Sequence, residues 1–191
     1  MRQLVVQMHG EPGSGKSTVA RALAPRVGAV VLDKDVIKAA LLRAGIDEAG
    51  AAAGAYEAYF AQAESIVELG HSLILDNPVF WPTVEQRWLA LCERAGSPPI
   101  LVECVCGDAA ELGRRLATRD ALESQPRTPL DLSARPGAVP TSYQPRIVLD
   151  TTRPTDDVVA EALAYIEGVA SARRALSFRP SLSQGATGRM P

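Results

Sequence analysis

The sequence predicts an α/β fold in three layers, with a five-stranded parallel sheet and helices on both of its faces. Two observations predict it. Five short apolar runs of strand type alternate with segments of helical periodicity, and each of the first four runs is followed by a helix long enough to cross back over a sheet. The first run also leads into a glycine-rich loop, GEPGSGKST from Gly10 to Thr18, that opens directly into a helix.

The elements follow in order. LVVQM (Leu4 to Met8) is the first strand, and STVARALAPRV (Ser17 to Val27) is helical, with Ala20, Leu23, Ala24 and Val27 on one face. AVVLD (Ala29 to Asp33) is the second strand and delivers Asp33, Lys34 and Asp35 to its C-terminal end. A helix from Val36 to Arg43 stops at Gly45. Residues 48 to 69 place Tyr56, Tyr59, Phe60, Ile66, Val67 and Leu69 at helical spacing, which predicts a long helix. SLILD (Ser72 to Asp76) is the third strand. The helix from Pro82 to Ala95 offers Trp88, Leu89, Leu91 and Cys92 to the core and ends at Gly96 and the pair Pro98, Pro99. ILVECVC (Ile100 to Cys106) is the fourth strand, and Asp108 caps a helix running to about Ala121. Residues 124 to 146 hold five of the fourteen prolines without periodicity and read as a mobile connection, so a lid region is expected over about 108–146. RIVLD (Arg146 to Asp150) is the fifth strand. A last helix, from about Asp156 to Arg174, closes a single domain over residues 1–174, and residues 175–191 read as a disordered tail.

The glycine-rich loop fits G-x-x-x-x-G-K-[ST], with Gly10, Gly15, Lys16 and Ser17 in the fixed places. A loop that wraps a polyphosphate turns its backbone N–H groups inward, and Gly13 and Gly15 permit the turn. Lys16 reaches the β- and γ-phosphates, the Ser17 hydroxyl ligates Mg²⁺, and the helix that starts there aims its positive end at the anion. The nucleotide cradle therefore comprises Gly10, Glu11, Pro12, Gly13, Ser14, Gly15, Lys16, Ser17 and Thr18, with ATP and Mg²⁺ as the expected cofactors.

Polar residues at the other strand ends say what a bound nucleotide does. Asp76 ends an apolar strand, as a magnesium-holding acid does, or serves as a turn or capping residue. Asp35 is placed to accept the proton of an acceptor hydroxyl or, standing at the start of the next helix, to serve as a dipole-favoured cap, and Asp33 at the strand end competes for the catalytic role. Lys38, one turn on, faces the same cleft or solvent. Arg115 and Arg119, four apart, share a helix face and suit a lid over the triphosphate; the plainer reading pairs Arg115 with Glu111. Arg114 and Arg127 are weaker candidates. Arg87 reads as substrate contact or surface, and His9 and His71 as structural.

Composition narrows the class further. A net charge of −2 with scattered Lys and Arg offers no nucleic-acid surface. No apolar stretch approaches a membrane span and no signal-peptide pattern opens the chain, so a cytoplasmic protein is expected. Cys92, Cys104 and Cys106 form no CxxC pair and read as buried thiols. The NKxD signature of guanine readers is missing, since LDKD (Leu32 to Asp35) lacks the Asn and follows the second strand.

With the phosphate loop, LDKDVIK, SLILDNPVF, QRWLALCERAG and ELGRRLATRD in place, the chain resembles the small P-loop kinases of the zeta-toxin, chloramphenicol-phosphotransferase and polynucleotide-kinase type, often described only as AAA-family ATPases. The resemblance spans about residues 3 to 170 and implies a P-loop NTPase sheet of order 2-3-1-4-5. It implies an acceptor-activating acid at Asp35 and a basic acceptor contact at Lys38, where the family usually has arginine. It also implies lid arginines at Arg115 and Arg119 and a base-binding loop at Asp150, Thr151, Thr152 and Arg153. The expected function is ATP-dependent phosphorylation of a hydroxyl on a small molecule, a sugar, nucleoside or antibiotic, with Asp33, Asp35, Lys38, Asp76 and Arg87 toward the substrate and Phe80 and Trp81 as an apolar wall. The competing readings are a polynucleotide 5′-hydroxyl kinase, which would want a basic channel, and a regulatory ATPase with no acceptor.

Overall fold

A computed structural model describes residues 3–78, 81–128 and 143–177. The elements are β1 (Val5–His9), α1 (Lys16–Val27), β2 (Ala29–Asp33), α2 (Lys34–Arg43), α3 (Glu48–Glu68), β3 (Ser72–Asp76), α4 (Pro82–Arg94), β4 (Ile100–Val105), α5 (Ala109–Thr118), β5 (Arg146–Asp150) and α6 (Thr155–Ser177). The strands form one sheet of order β2-β3-β1-β4-β5, and every pairing is parallel.

Parallel strands joined by helices bury both faces of the sheet, so their sequences run apolar without alternation. Every residue of central β1 is buried accordingly. On one face, Val19, Ala20 and Leu23 of α1 meet Val158, Val159, Ala162 and Ile166 of α6 over Val6, Ile74 and Val102. On the other, Tyr59, Phe60 and Val67 of α3 and Val84, Trp88 and Leu91 of α4 cover Val5, Leu73, Leu75 and Leu101. Of the cysteines, Cys92 and Cys104 are buried thiols and Cys106 is partly exposed; none is bridged.

Register then fixes what the sheet presents at its C-terminal edge. Asp33 lies beside Asp76, Asp76 beside Met8, and His9 beside Glu103. From β1 the chain winds to β2 and β3 and only then crosses to β4, so the loop after β1 opens at the crevice where the winding reverses, the usual ligand position of an open α/β sheet.

Two expectations need correction. Helix α5 ends at Thr118 rather than near Ala121, because Arg119 turns extended (φ −66°, ψ 148°) and its guanidinium donates to the carbonyl of Pro126. Arg115 and Arg119 therefore do not share a helix face. The expected mobile connection is structured in part: residues 119–128 fold back over the sheet edge, while 129–142 lie outside the described residues, as do Phe80 and residues 178–191. His9, read as structural, is buried with its Nε2 3.9 Å from Glu103 Oε1, and Glu103 in turn is paired with Arg146.

Burial lowers the His9 pKa from 6.5 to about 4, with Glu103 pulling upward and Lys16 and Arg146 downward. The unfolded chain thus takes up this proton first. The stability His9 carries is complete above about pH 6.5 and is lost as pH falls toward about 4. Between pH 7 and pH 4, urea unfolding should show the wild type losing about 3 kcal/mol more than His9→Gln. Equal losses would mean that folding does not perturb the histidine.

Candidate active site

The loop after β1 is built by glycines held in conformations other residues avoid. Gly10 has φ 131°, and a Cβ there would lie 2.1 Å from the backbone oxygen of Cys104 and 2.7 Å from Ser14 Oγ. Gly15 is the N-cap of α1 at φ 86° and contributes no side-chain cap, so the first N–H groups of the helix stay free to meet an anion. The Ser14 amide closes the turn onto the Glu11 carbonyl at 3.1 Å. The Lys16 ammonium donates to the same carbonyl at 2.8 Å. Burial lowers its pKa, and Asp76 heads the charges that oppose the shift. Pro12, Gly13 and Gly15 to Thr18 line a cleft of about 680 Å³, and Gly10, Glu11 and Ser14 complete the loop outside that lining.

Asp76 is the last residue of β3, 5% exposed, and the N-cap position of α4 is Trp81, five residues on. The turn and capping readings of Asp76 therefore do not describe its place. Its pKa rises to about 6, chiefly by burial, with hydrogen bonding to Ser17 as the largest opposing effect. Its Oδ2 is buried without a hydrogen-bond partner. A buried, unsatisfied carboxylate oxygen beside a serine hydroxyl costs free energy unless a cation completes it. Ser17 and Asp76 thus fit a hard oxygen-seeking ion such as Mg²⁺, whose few protein ligands are of this type. No cluster of three or more His, Cys, Asp or Glu suited to a metal occurs among the described residues.

The two competing acids after β2 are separated by geometry. Asp33 is the N-cap of α2, its Oδ1 accepting the Asp35 amide at 2.9 Å, and Arg21 lies 3.7 Å from its other oxygen. Burial, the largest of its influences, raises its pKa. Asp35 is left in the first turn with its carboxylate toward the cleft. Its Oδ1 is 2.7 Å from Lys34 Nζ, and its Oδ2 faces Gln125 Nε2 at 3.4 Å, while Ser124 Oγ donates to its carbonyl at 2.8 Å. The segment after α5 thus reaches directly over Asp35. Lys38 lines the cleft and is paired with Glu48.

The arginines divide. Arg115 lines the cleft, but its guanidinium is committed to Glu111 Oε1 (2.7 Å), Thr151 Oγ1 (2.9 Å) and the Thr151 carbonyl (2.9 Å). The Thr151 hydroxyl lies within hydrogen-bond reach of the Ser14 and Val105 carbonyls at 2.9 and 3.1 Å, tying α5, the loop after β5 and the phosphate loop into one strut. Arg119 lines the cleft with a buried Nε that has no partner, and burial, its largest influence, lowers its pKa. Arg153 lines the cleft and pairs with Glu161. Arg87 does not line the cleft: it pairs with Glu57 at 2.7 Å and its guanidinium sits 4.3 Å from the Phe60 ring centre, so it leaves the set toward the substrate. Arg114 is exposed and bonded twice to Glu111.

A sequence model of the AAA domain family AAA_33 matches residues 5–133. The chain belongs to that family. Among solved structures, this AAA_33 protein is similar to a kinase-like protein of Chloroflexus aurantiacus J-10-fl, with TM-score 0.67 and 23% identity over 88% of this chain and 98% of that one. It is similar also to a sugar kinase of Janibacter sp. HTCC2649 (TM-score 0.63, 20% identity, 89% and 97% covered) and to a gluconokinase of Sinorhizobium meliloti 1021 (TM-score 0.56, 20% identity, 92% and 98% covered). At such identities the likeness establishes the fold, that of the small P-loop kinases. A cytidylate kinase of Symbiobacterium thermophilum is 48% identical over 56 residues, 27% of this chain, and the chain spans 25% of that relative's length. No helix among the described residues is long and apolar enough to cross a membrane.

Lys34 after β2 and Tyr56 of α3 line the cleft, and so do Ser124 and Gln125, which come from a stretch without periodicity and left no trace in the linear pattern. Asn77 also lines it, held by Tyr59 (2.6 Å to its Oδ1) and by Gln7 (2.7 Å to its carbonyl). A glutamine inside an apolar strand signals such a polar partner, since a buried amide needs polar company.

Proposed function

We propose that this AAA_33 protein is a Mg²⁺-dependent kinase that transfers the γ-phosphoryl group of ATP to a hydroxyl of a small molecule, with Asp35 as the general base. The observation that carries the reading is that the Asp35 carboxylate opens into the same cleft as Lys16, Ser17 and Asp76, leaving room for an acceptor between base and phosphate loop. The acceptor oxygen forms the new bond to the γ-phosphorus, the bond to the β-phosphate oxygen breaks, ADP leaves, and the hydroxyl proton passes to Asp35.

Lys16 and the N–H groups of the loop hold the phosphates, and Arg119, with its unpartnered Nε, is placed to offset charge on the transferred group. Mg²⁺ held by Ser17 and Asp76 would supply charge neutralisation at the phosphates. Arg115 acts through its strut, positioning Thr151 and the loop behind the phosphates rather than touching them. Thr151 and Arg153 flank the nucleotide.

The short stretch shared with a cytidylate kinase favours one second reading, a phosphate group as acceptor. Mass spectrometry separates the two. Wild-type protein incubated with ATP and Mg²⁺ should add one phosphoryl group to a hydroxyl compound within a panel of sugars, nucleosides, antibiotics and nucleoside monophosphates, with one ADP formed per product. Turnover of ATP with every panel member unchanged would remove the kinase reading.

A further inference from the structure

We propose that the acceptor is an uncharged hydroxyl compound carrying a ring, held by its face against Tyr56 and Trp81, and not a sugar acid or a phosphorylated acceptor. The inference rests on the kinase reading above and narrows it. Tyr56 of α3 and Trp81 at the head of α4 form an aromatic corner, with ring centres 6.2 Å apart and planes at 74°. Both line the cleft, and both are only partly buried against the core cluster of that sheet face.

The corner is coupled to the proposed base. Lys34 Nζ stands 5.3 Å from the Tyr56 ring centre and 2.7 Å from Asp35 Oδ1, so a single ammonium separates the aromatic wall from the carboxylate. A ring lying on that wall places its substituent hydroxyl beside Asp35, and face contact with aromatic side chains suits a nucleoside base, an aryl group or the apolar face of a pyranose.

Charge argues the second half. The lysines beside the corner, Lys34 and Lys38, are 14% and 12% exposed and already paired with Asp35 and Glu48. Arg21 is turned to Asp33, Arg115 to Glu111 and Thr151, and Arg153 to Glu161, while Lys16 and Arg119, which feel the charge of Asp35, are bonded to the Glu11 and Pro126 carbonyls and are assigned to the phosphates by the reading above. The Asn77 amide is taken up by Pro78, Tyr59 and Gln7. An anionic acceptor would have to displace existing ion pairs beside three carboxylates, Asp33, Asp35 and Asp76. Such a pocket rejects anions as much as it welcomes rings.

Of the two tryptophans, Trp88 is fully buried in the core, so Trp81 is the fluorophore at the cleft. Full-length protein with Mg²⁺ and ADP is titrated with cytidine, thymidine, phenyl glucoside and chloramphenicol on one arm, and with gluconate and cytidine monophosphate on the other. Binding is read by calorimetry and by Trp81 emission, and transfer by mass spectrometry with ATP. We expect a ring compound to bind and to change Trp81 emission, the anions to bind at least about tenfold more weakly, and Tyr56→Leu and Trp81→Leu each to raise KM about tenfold with kcat within about twofold. Trp81→Phe should restore KM while losing the emission change, and unchanged melting checks that the variants fold. Preferred binding or phosphorylation of an anion, no binding by any ring compound, or an unchanged KM in both leucine variants overturns the proposal. Ring binding at Trp81 with no phosphoryl transfer would instead leave the ring site standing and remove the kinase reading.

Discussion

Asp35→Asn should lower phosphoryl transfer to a hydroxyl acceptor by about 10²–10⁴-fold, the range a positioned general base supplies, while ATP affinity and melting temperature stay near wild type. Capping of α2 falls to Asp33, whose Oδ1 holds the Asp35 amide, so Asp35 is free of that structural duty. Its loss removes one favourable charge from the first turn of a helix, an effect of about 0.3–1 kcal/mol. Asparagine preserves the size of the side chain and can still accept from Gln125, but it cannot take a proton. Asp33→Asn should behave in the opposite manner, weakening the start of α2 with a smaller effect on transfer, since its carboxylate is turned to the helix end and to Arg21. Single-turnover rates with the acceptor found by mass spectrometry, beside ADP binding by calorimetry, check both. A phosphate acceptor needs no base, so full activity in Asp35→Asn would shift the reading toward the nucleoside-monophosphate class.

Gly10→Ala should be the most damaging added methyl among the described glycines. The backbone at φ 131° is one that L-residues rarely adopt, and the new Cβ would stand 2.1 Å from the Cys104 carbonyl oxygen, a backbone atom of the neighbouring strand β4. Relief requires β1 and β4 to separate at the sheet edge or the phosphate loop to flip. The first costs on the order of 3 kcal/mol or more of stability, and the second costs nucleotide binding. Gly113→Ala is the internal comparison. That glycine lies inside α5, and a Cβ there would meet nothing within 4 Å, so alanine should stabilise by about 0.5–1 kcal/mol through helix propensity alone. Thermal melts of the two variants and their affinity for a fluorescent ADP analogue should diverge in both readouts; a Gly10→Ala protein that melts and binds like the wild type would mean the loop has another conformation of equal energy.

Sequence alone determined the three-layer fold, the phosphate loop and the strand-end acids of this protein, because those features are local. A buried parallel strand needs an unbroken apolar run, an anion loop needs glycines at set intervals, and a polar residue that directly follows such a run must lie at the sheet's C-terminal edge. Tertiary structure alone decided where each acid stands. The linear pattern leaves Asp33 and Asp35 in competition, and only the path of the chain into α2 makes one the cap and turns the other to the cleft. The same holds for the arginines: Arg115 and Arg119 looked alike at a four-residue spacing until the end of α5 committed one to Thr151 and gave the other to the cleft. Tyr56 and Trp81, distant in sequence, meet only because α3 and α4 pack on the same face of the sheet. Side-chain partners across long separations depend on packing, which no local period encodes.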